Sequence, residues 1–71
     1  MAGKKILSLL AMEKLMKEAG AYRVGEDAKE ALRDALEEYA DKISKKADEM
    51  SRHAGRRTIK AEDIKLANRQ Q

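Results

Sequence analysis

Apolar residues recur along the chain at spacings of three and four, which is the spacing of one face of an α-helix. Gly20 and Gly55 interrupt this pattern, and glycine is favoured just beyond the last turn of a helix. Each glycine is followed by a short break that mixes basic residues with β-branched or aromatic ones, as loops of extended backbone do. The pattern predicts three helices, over residues 6–19, 26–54 and 61–68.

The chain has no proline and is rich in good helix formers, so the sequence predicts an all-α protein. We expect its 71 residues to form a single domain with flexible ends at residues 1–5 and 69–71. A domain of this size usually needs disulfides, a metal or a partner chain for stability. Because there is no cysteine and His53 is the only histidine, we expect no disulfide and no metal site, which leaves a partner chain.

The predicted second helix is too long for the body of one chain of this size. About 28 helical residues span roughly 42 Å, whereas a globule of this length has a diameter near 30 Å. The flanking helices are too short to cover its apolar face. We therefore expect this face to pack on another chain, most simply a second copy, through a dimer core of Leu32, Leu36, Tyr39 and Ile43.

Charge is distributed unevenly along the chain. Residues 1–23 carry a net charge of +3, residues 24–50 carry −4 and residues 51–71 carry +4. Basic ends and loops suit a polyanionic partner, and an ordinary solvated surface with uneven charge is the alternative. No apolar run is long enough to cross a membrane, and the faintly signal-like start is broken by Ser8, so we expect a soluble cytoplasmic protein.

Two stretches of the sequence resemble the archaeal histones. Residues 17–24, KEAGAYRV, resemble the first loop of that family, and residues 52–67, RHAGRRTIKAEDIKLA, resemble its second loop and third helix. The resemblance covers roughly residues 12–69. It implies the histone fold, in which the long helices of two chains cross in an intertwined handshake dimer. The first loop of one chain then lies beside the second loop of its partner.

The resemblance implies a DNA-contacting surface at each such pair of loops. Arg23 is the arginine that enters the minor groove, and the hydroxyl of Thr58 donates to phosphate oxygens together with nearby backbone N–H groups. Arg57 and Lys60 add positive charge, and Lys14 matches a position, usually arginine, at which the first helix meets DNA. The alternative for each residue is an ordinary solvated side chain.

The same resemblance implies structural or assembly roles for the other residues that match the family. Arg56 pairs with Asp63 and braces the second loop. Met50, His53 and Asp63 belong to a four-helix contact between dimers, in which the histidine of one dimer meets the aspartate of another. We therefore expect tetramers or longer stacks on DNA. Gly20 lies where successive turns of a DNA superhelix approach each other, and it also serves as a helix cap.

The sequence therefore predicts a homodimeric chromatin protein of the chromosome or nucleoid that wraps and compacts double-stranded DNA, nucleosome-like, with little sequence specificity. The alternative is a histone-fold interaction subunit that pairs with other histone-fold chains. It is favoured by the apolar start and by Ala35, which replaces a larger core residue. We expect no enzyme activity, cofactor or small-molecule substrate, because no catalytic set is present. An antiparallel coiled coil would explain the long helix but not the two basic loops.

Overall fold

The computed structural model describes residues 5–70. Within them the chain forms three helices and no strand, namely α1 (Leu9–Glu18), α2 (Glu26–His53) and α3 (Ala61–Arg69). The order of a short, a long and a short helix agrees with the predicted fold class. Helices α2 and α3 begin at the predicted residues and end within one residue of the predicted ends. The predicted flexible ends lie partly outside the described residues, at 1–4 and 71.

Helix α1 begins three residues later than the periodicity predicted. Ser8 is its N-cap, with an extended backbone at φ −88° and ψ 152°. The Ser8 hydroxyl accepts a hydrogen bond from the backbone N–H of Ala11 at 3.0 Å, which satisfies one donor of the first turn. The predicted start was wrong because Ile6 and Leu7 continue the apolar spacing, whereas the capping serine decides where helical backbone begins.

The segment before α1 is attached to α2 through its backbone. The N–H groups of Lys5 and Leu7 donate to the two carboxylate oxygens of Glu37, at 2.8 and 2.7 Å. The hydrogen bond from Leu7 contributes most to holding the pKa of Glu37 below its usual value. Lys5, which was expected to belong to a flexible end, is therefore bound to a helix, while the side chain of Ile6 stays exposed.

Contacts within the chain divide it into two compact units, Met1–Glu38 and Tyr39–Gln71, and α2 contributes to both. In the first unit the ammonium group of Lys29 on α2 bonds Glu13 on α1 at 3.3 Å and Glu26 at 2.9 Å. Met12 of α1 is fully buried. A buried apolar side chain and an ion-pair network thus occur together in this unit.

In the second unit, two alanines and one isoleucine form the core. Ile43, Ala47 and Ala67 are buried together, and Met50 packs against them. Because both Ala47 and Ala67 are alanines, the backbones of α2 and α3 can approach closely at this point. The prediction that residues 1–71 form a single histone-fold domain stays a prediction.

Candidate nucleic-acid interface

The first loop, residues 19–25, begins with a tight turn at the end of α1. The N–H of Gly20 donates to the carbonyl of Lys17, and the N–H of Ala21 donates to the carbonyl of Met16, both at 3.0 Å. Gly20 has a φ of +109°, a conformation that side chains disfavour. This pair of hydrogen bonds is a Schellman turn, so Gly20 acts as a helix cap.

Beyond that turn the first loop has few internal restraints. Tyr22 is 89% exposed and Arg23 is also exposed. Among the described residues, no side-chain hydrogen bond or ion pair involves residues 21–25. Lys14 is likewise exposed on α1, and no contact joins it to Arg23. Among the described residues, no side-chain contact therefore fixes the position of the Arg23 guanidinium.

The second loop, residues 54–60, begins with the same kind of turn at the end of α2. The N–H of Gly55 donates to the carbonyl of Arg52, and the N–H of Arg56 donates to the carbonyl of Ser51, both at 2.9 Å. Gly55 has a φ of +74°. From this point on, however, the second loop is held by side chains as well.

An ion pair closes the second loop onto α3. Nη1 and Nη2 of Arg56 lie 3.0 Å from Oδ2 and Oδ1 of Asp63, which is a bidentate pair. Oδ2 of Asp63 also accepts the N–H of Lys60 at 2.8 Å, and Asp63 is only 5% exposed. The hydrogen bonds from Arg56, followed by the one from Lys60, hold the pKa of Asp63 below its usual value. The structure thus contains the predicted loop-bracing pair.

Ser51 fastens the same loop from the side of α2, and sequence reasoning missed it. Its side chain is 1% exposed, and its Oγ lies 3.0 Å from the carbonyl oxygen of Thr58 and 3.2 Å from that of Arg56. Nη1 of Arg56 also donates to the Thr58 carbonyl, at 3.1 Å. The sequence does contain a sign of this role, because Ser51 places one hydroxyl within the apolar stripe of α2, four residues after Ala47.

These bonds turn the backbone of the second loop inward and leave its side chains outside. Arg57, Thr58 and Lys60 are all exposed, and neither cation forms an ion pair within the described part of the chain. The Thr58 carbonyl is occupied by two donors, whereas its hydroxyl is available. The loop therefore offers two cations and one hydroxyl on a fixed backbone, which suits phosphate oxygens.

The residues predicted for contacts between dimers lie around the end of α2. His53 is exposed, and Met50 is partly buried against the core. Asp63 already accepts three hydrogen bonds within its own chain. A carboxylate has about four acceptor sites, so a histidine of another dimer has room for one further bond. That contact stays a prediction.

The residues predicted for the dimer core differ in their exposure. Leu32 and Leu36 are half-buried and Tyr39 is 44% exposed. Ile43 is only 7% exposed because it already packs in the core of the second unit. The first three thus retain apolar surface that a partner could cover, whereas a role for Ile43 in a dimer stays a prediction.

A short–long–short helical chain whose second loop is closed by an arginine–aspartate pair defines a histone-fold protein. Residues 7–67 match the family described as histone-like transcription factor (CBF/NF-Y) and archaeal histone, and the chain belongs to this family. It is 54% identical over 61 residues to one subunit of the archaeal histone HAN1 of Thermococcus zilligii, covering 86% of this chain and 91% of that protein. It is 45% identical over 56 residues to probable archaeal histone 3 of Methanocaldococcus jannaschii, covering 79% and 84%.

These matches confirm the resemblance and the fold class predicted from the sequence. Both relatives are named as histones, a structural class of protein rather than a class of enzyme. Across residues 5–70, no helix combines the length and the apolarity that crossing a membrane requires. In the same range, no three acidic, histidine or cysteine side chains are grouped as a metal site would need.

Proposed function

We propose that this histone-like, DNA-binding chromatin protein forms a homodimer that wraps double-stranded DNA with little sequence specificity and is associated with the chromosome. The observation that carries the proposal is the second loop, where Ser51 and Asp63 hold the backbone while basic side chains point outward. Membership of the histone family supports the same function.

The dimer is supported by apolar surface that one chain leaves uncovered. Leu15, Tyr39, Ile64 and Leu66 are all exposed. Burying such surface contributes about 25 cal/mol per Å². Helix α2 has 28 residues, whereas α1 and α3 have 10 and 9, so the short helices can cover only part of its apolar stripe. A second copy supplies a stripe of the same length.

DNA contact is supported by the chemistry of the loops. Arg57 and Lys60 attract phosphates without reading bases, and the Thr58 hydroxyl donates to a phosphate oxygen. Arg23 lies on a loop with few restraints, so its guanidinium can enter a narrow minor groove, where the negative potential is strongest. Lys14 adds a cation on α1. None of these contacts distinguishes one base sequence from another.

Nuclease protection tests the proposal. Micrococcal nuclease digestion of DNA reconstituted with the protein should leave a ladder of protected lengths. The double variant Arg23→Ala/Thr58→Ala should lose protection while remaining folded and dimeric. The matched control Ser44→Ala/Lys45→Ala also removes one hydroxyl and one cation, but from exposed positions on α2, and should protect DNA normally. Normal protection by the first variant would show that the loops are not the site.

The same digestion tests assembly beyond the dimer. We propose that His53 of one dimer bonds Asp63 of another beside Met50, and that Gly20 allows close approach of DNA superhelical turns. His53→Ala should then shorten the ladder to the length protected by one dimer. An unchanged ladder would contradict this stacking contact and leave DNA wrapping untouched.

An alternative function is pairing with other histone-fold chains as one component of a mixed assembly. The relative from Thermococcus zilligii is named as a subunit, which favours this possibility. Sedimentation equilibrium separates the two functions. A stable homodimer of the purified chain supports DNA wrapping by one kind of chain, whereas a monomer or an unfolded chain that needs another histone-fold protein supports the alternative.

A further inference from the structure

A polar pair lies within the apolar surface of the second unit. The hydroxyl of Tyr39 on α2 donates to Oδ1 of Asn68 on α3. Tyr39 is one turn before Ile43, and Asn68 is one turn after Ile64, which is itself 40% exposed. In contact with water both polar groups would be satisfied equally well without each other. The pair therefore matters most if water is excluded from this surface.

Tyr39 also occupies a special place along the long helix. It is the fourteenth of the 28 residues of α2, next to the midpoint. If two copies pair through the centres of their long helices about a two-fold axis, residues near the midpoint lie beside that axis and meet their own copies. This step rests on the homodimer proposed above. It brings the Tyr39–Asn68 pair of one chain next to the same pair of the other.

The atoms left over by the internal bond are self-complementary. The Tyr39 oxygen can still accept a hydrogen bond, and the amide nitrogen of Asn68 still has two donors. In a second copy, the Tyr39 oxygen therefore supplies an acceptor for the amide nitrogen of Asn68, and the amide nitrogen of Asn68 supplies a donor for the Tyr39 oxygen. A partner chain with apolar side chains at both positions supplies neither, and buried donors without acceptors weaken association.

We infer that the Tyr39–Asn68 pair selects a second copy of this chain as the dimer partner, in preference to histone-fold chains that are apolar at these two positions. One polar group in an otherwise apolar helix interface is known to specify pairing at some cost in stability. The relevant surface is formed by α2 and α3 of the second unit.

Subunit exchange tests this selection. The double variant Tyr39→Phe/Asn68→Leu replaces the pair by apolar groups of similar size. Wild type and variant are mixed in equal amounts, equilibrated and analysed by native mass spectrometry. Random exchange makes half of the dimers mixed. A tenfold shift of the exchange equilibrium, equivalent to 1.4 kcal/mol, lowers that share to about a quarter, which is the result expected.

The matched control is Tyr22→Phe, the same chemical change at the chain's other tyrosine, on the exposed first loop. It should mix with wild type at random. A mixed share of one half for the double variant would overturn the selection while leaving the homodimer intact. A wild-type chain that is monomeric at micromolar concentration would overturn both the selection and the proposed homodimer, so the two failures are distinguishable.

Discussion

The two loops leave their helices in the same way and are then held differently. Both begin with a Schellman turn around a glycine of positive φ, at Gly20 and Gly55. The second loop is then fastened by Ser51 on α2 and by Asp63 on α3. In the first loop, the described residues 21–25 have no side-chain hydrogen bond.

This difference shows which part of the proposed DNA surface is organised by the chain itself. The second loop is ordered before any ligand arrives, so binding there costs little conformational entropy. Arg23 on the first loop has no such bracing among the described residues, so we expect a partner chain or DNA to order it. A first loop that lies beside the second loop of a partner, as the histone resemblance implies, would be ordered in this way.

The largest effect is expected from removing the carboxylate that braces the second loop. Asp63→Asn cannot form the bidentate ion pair and leaves the guanidinium of Arg56 with only the exposed carboxylate of Glu62 as a counter-charge. We expect DNA affinity to fall about tenfold or more, because the loop loses its fixed backbone. Fluorescence anisotropy with a labelled duplex measures this. Glu62→Gln, an exposed neighbour 3.8 Å from Arg56, is the control and should bind nearly as wild type.

The Arg56–Asp63 pair should also change how the stability of the protein falls at acid pH. Asp63 has a lowered pKa, so its stabilising contribution is complete above the unfolded value of about 3.9 and is lost as the pH falls through the folded value. Urea unfolding from pH 6 to pH 2 should therefore show a steeper loss for wild type than for Asp63→Asn. Glu13 and Glu37 also have lowered pKa values, but they are present in both the wild type and the variant and so do not cause a difference between them. Parallel curves would contradict the contribution of Asp63.

Substituting the two turn glycines tests the feature that the loops share. Gly20→Ala should destabilise the chain by about 2 kcal/mol, because a φ of +109° is unfavourable for alanine. Gly55→Ala should cost about 1 kcal/mol, because +74° lies nearer the left-handed region that alanine tolerates. Neither added Cβ meets an atom within 4 Å, so backbone strain is the cause. Equal effects in urea unfolding would show that this strain does not distinguish the two turns.

A smaller effect is expected from the hydroxyl that fastens the second loop. Ser51→Ala removes the donor to the Thr58 carbonyl and should lower the free energy of unfolding by about 1 kcal/mol. Hydrogen exchange at the amides of Arg56 and Lys60, which are hydrogen-bonded in the second loop, should become faster, while residues 21–25 exchange as before. Ser44→Ala, on an exposed part of α2, is the control and should change neither quantity. Unchanged exchange in the second loop would contradict the bracing role of Ser51.

The smallest change concerns one exposed cation. Arg57→Ala should leave stability within about 0.5 kcal/mol, since the residue is exposed and forms no ion pair in the described chain. The slope of log affinity against log salt should become shallower by about 0.9, the value for one phosphate contact. The variant Arg52→Ala removes a cation that pairs with Asp48 on α2 and should leave the slope unchanged. An unchanged slope in Arg57→Ala would remove that residue from the DNA surface.

Several features could be predicted from the sequence because they depend on local rules. The order of the helices follows from apolar spacing, and the two turns follow from Gly20 and Gly55. The Arg56–Asp63 pair was predicted from the histone resemblance, and it is present in the structure. The start of α1 was misjudged because apolar spacing alone does not locate an N-cap.

By itself, the sequence determined that this is a short–long–short helical chain of the histone family with two loops that carry basic residues. Only the tertiary structure decided that the second loop is held by Ser51 and that Glu37 binds the backbone before α1. Periodicity and capping act between residues a few positions apart along a helix. A hydroxyl seven residues from its carbonyl acceptor, or a carboxylate thirty residues from its amide donor, depends on the path of the folded backbone.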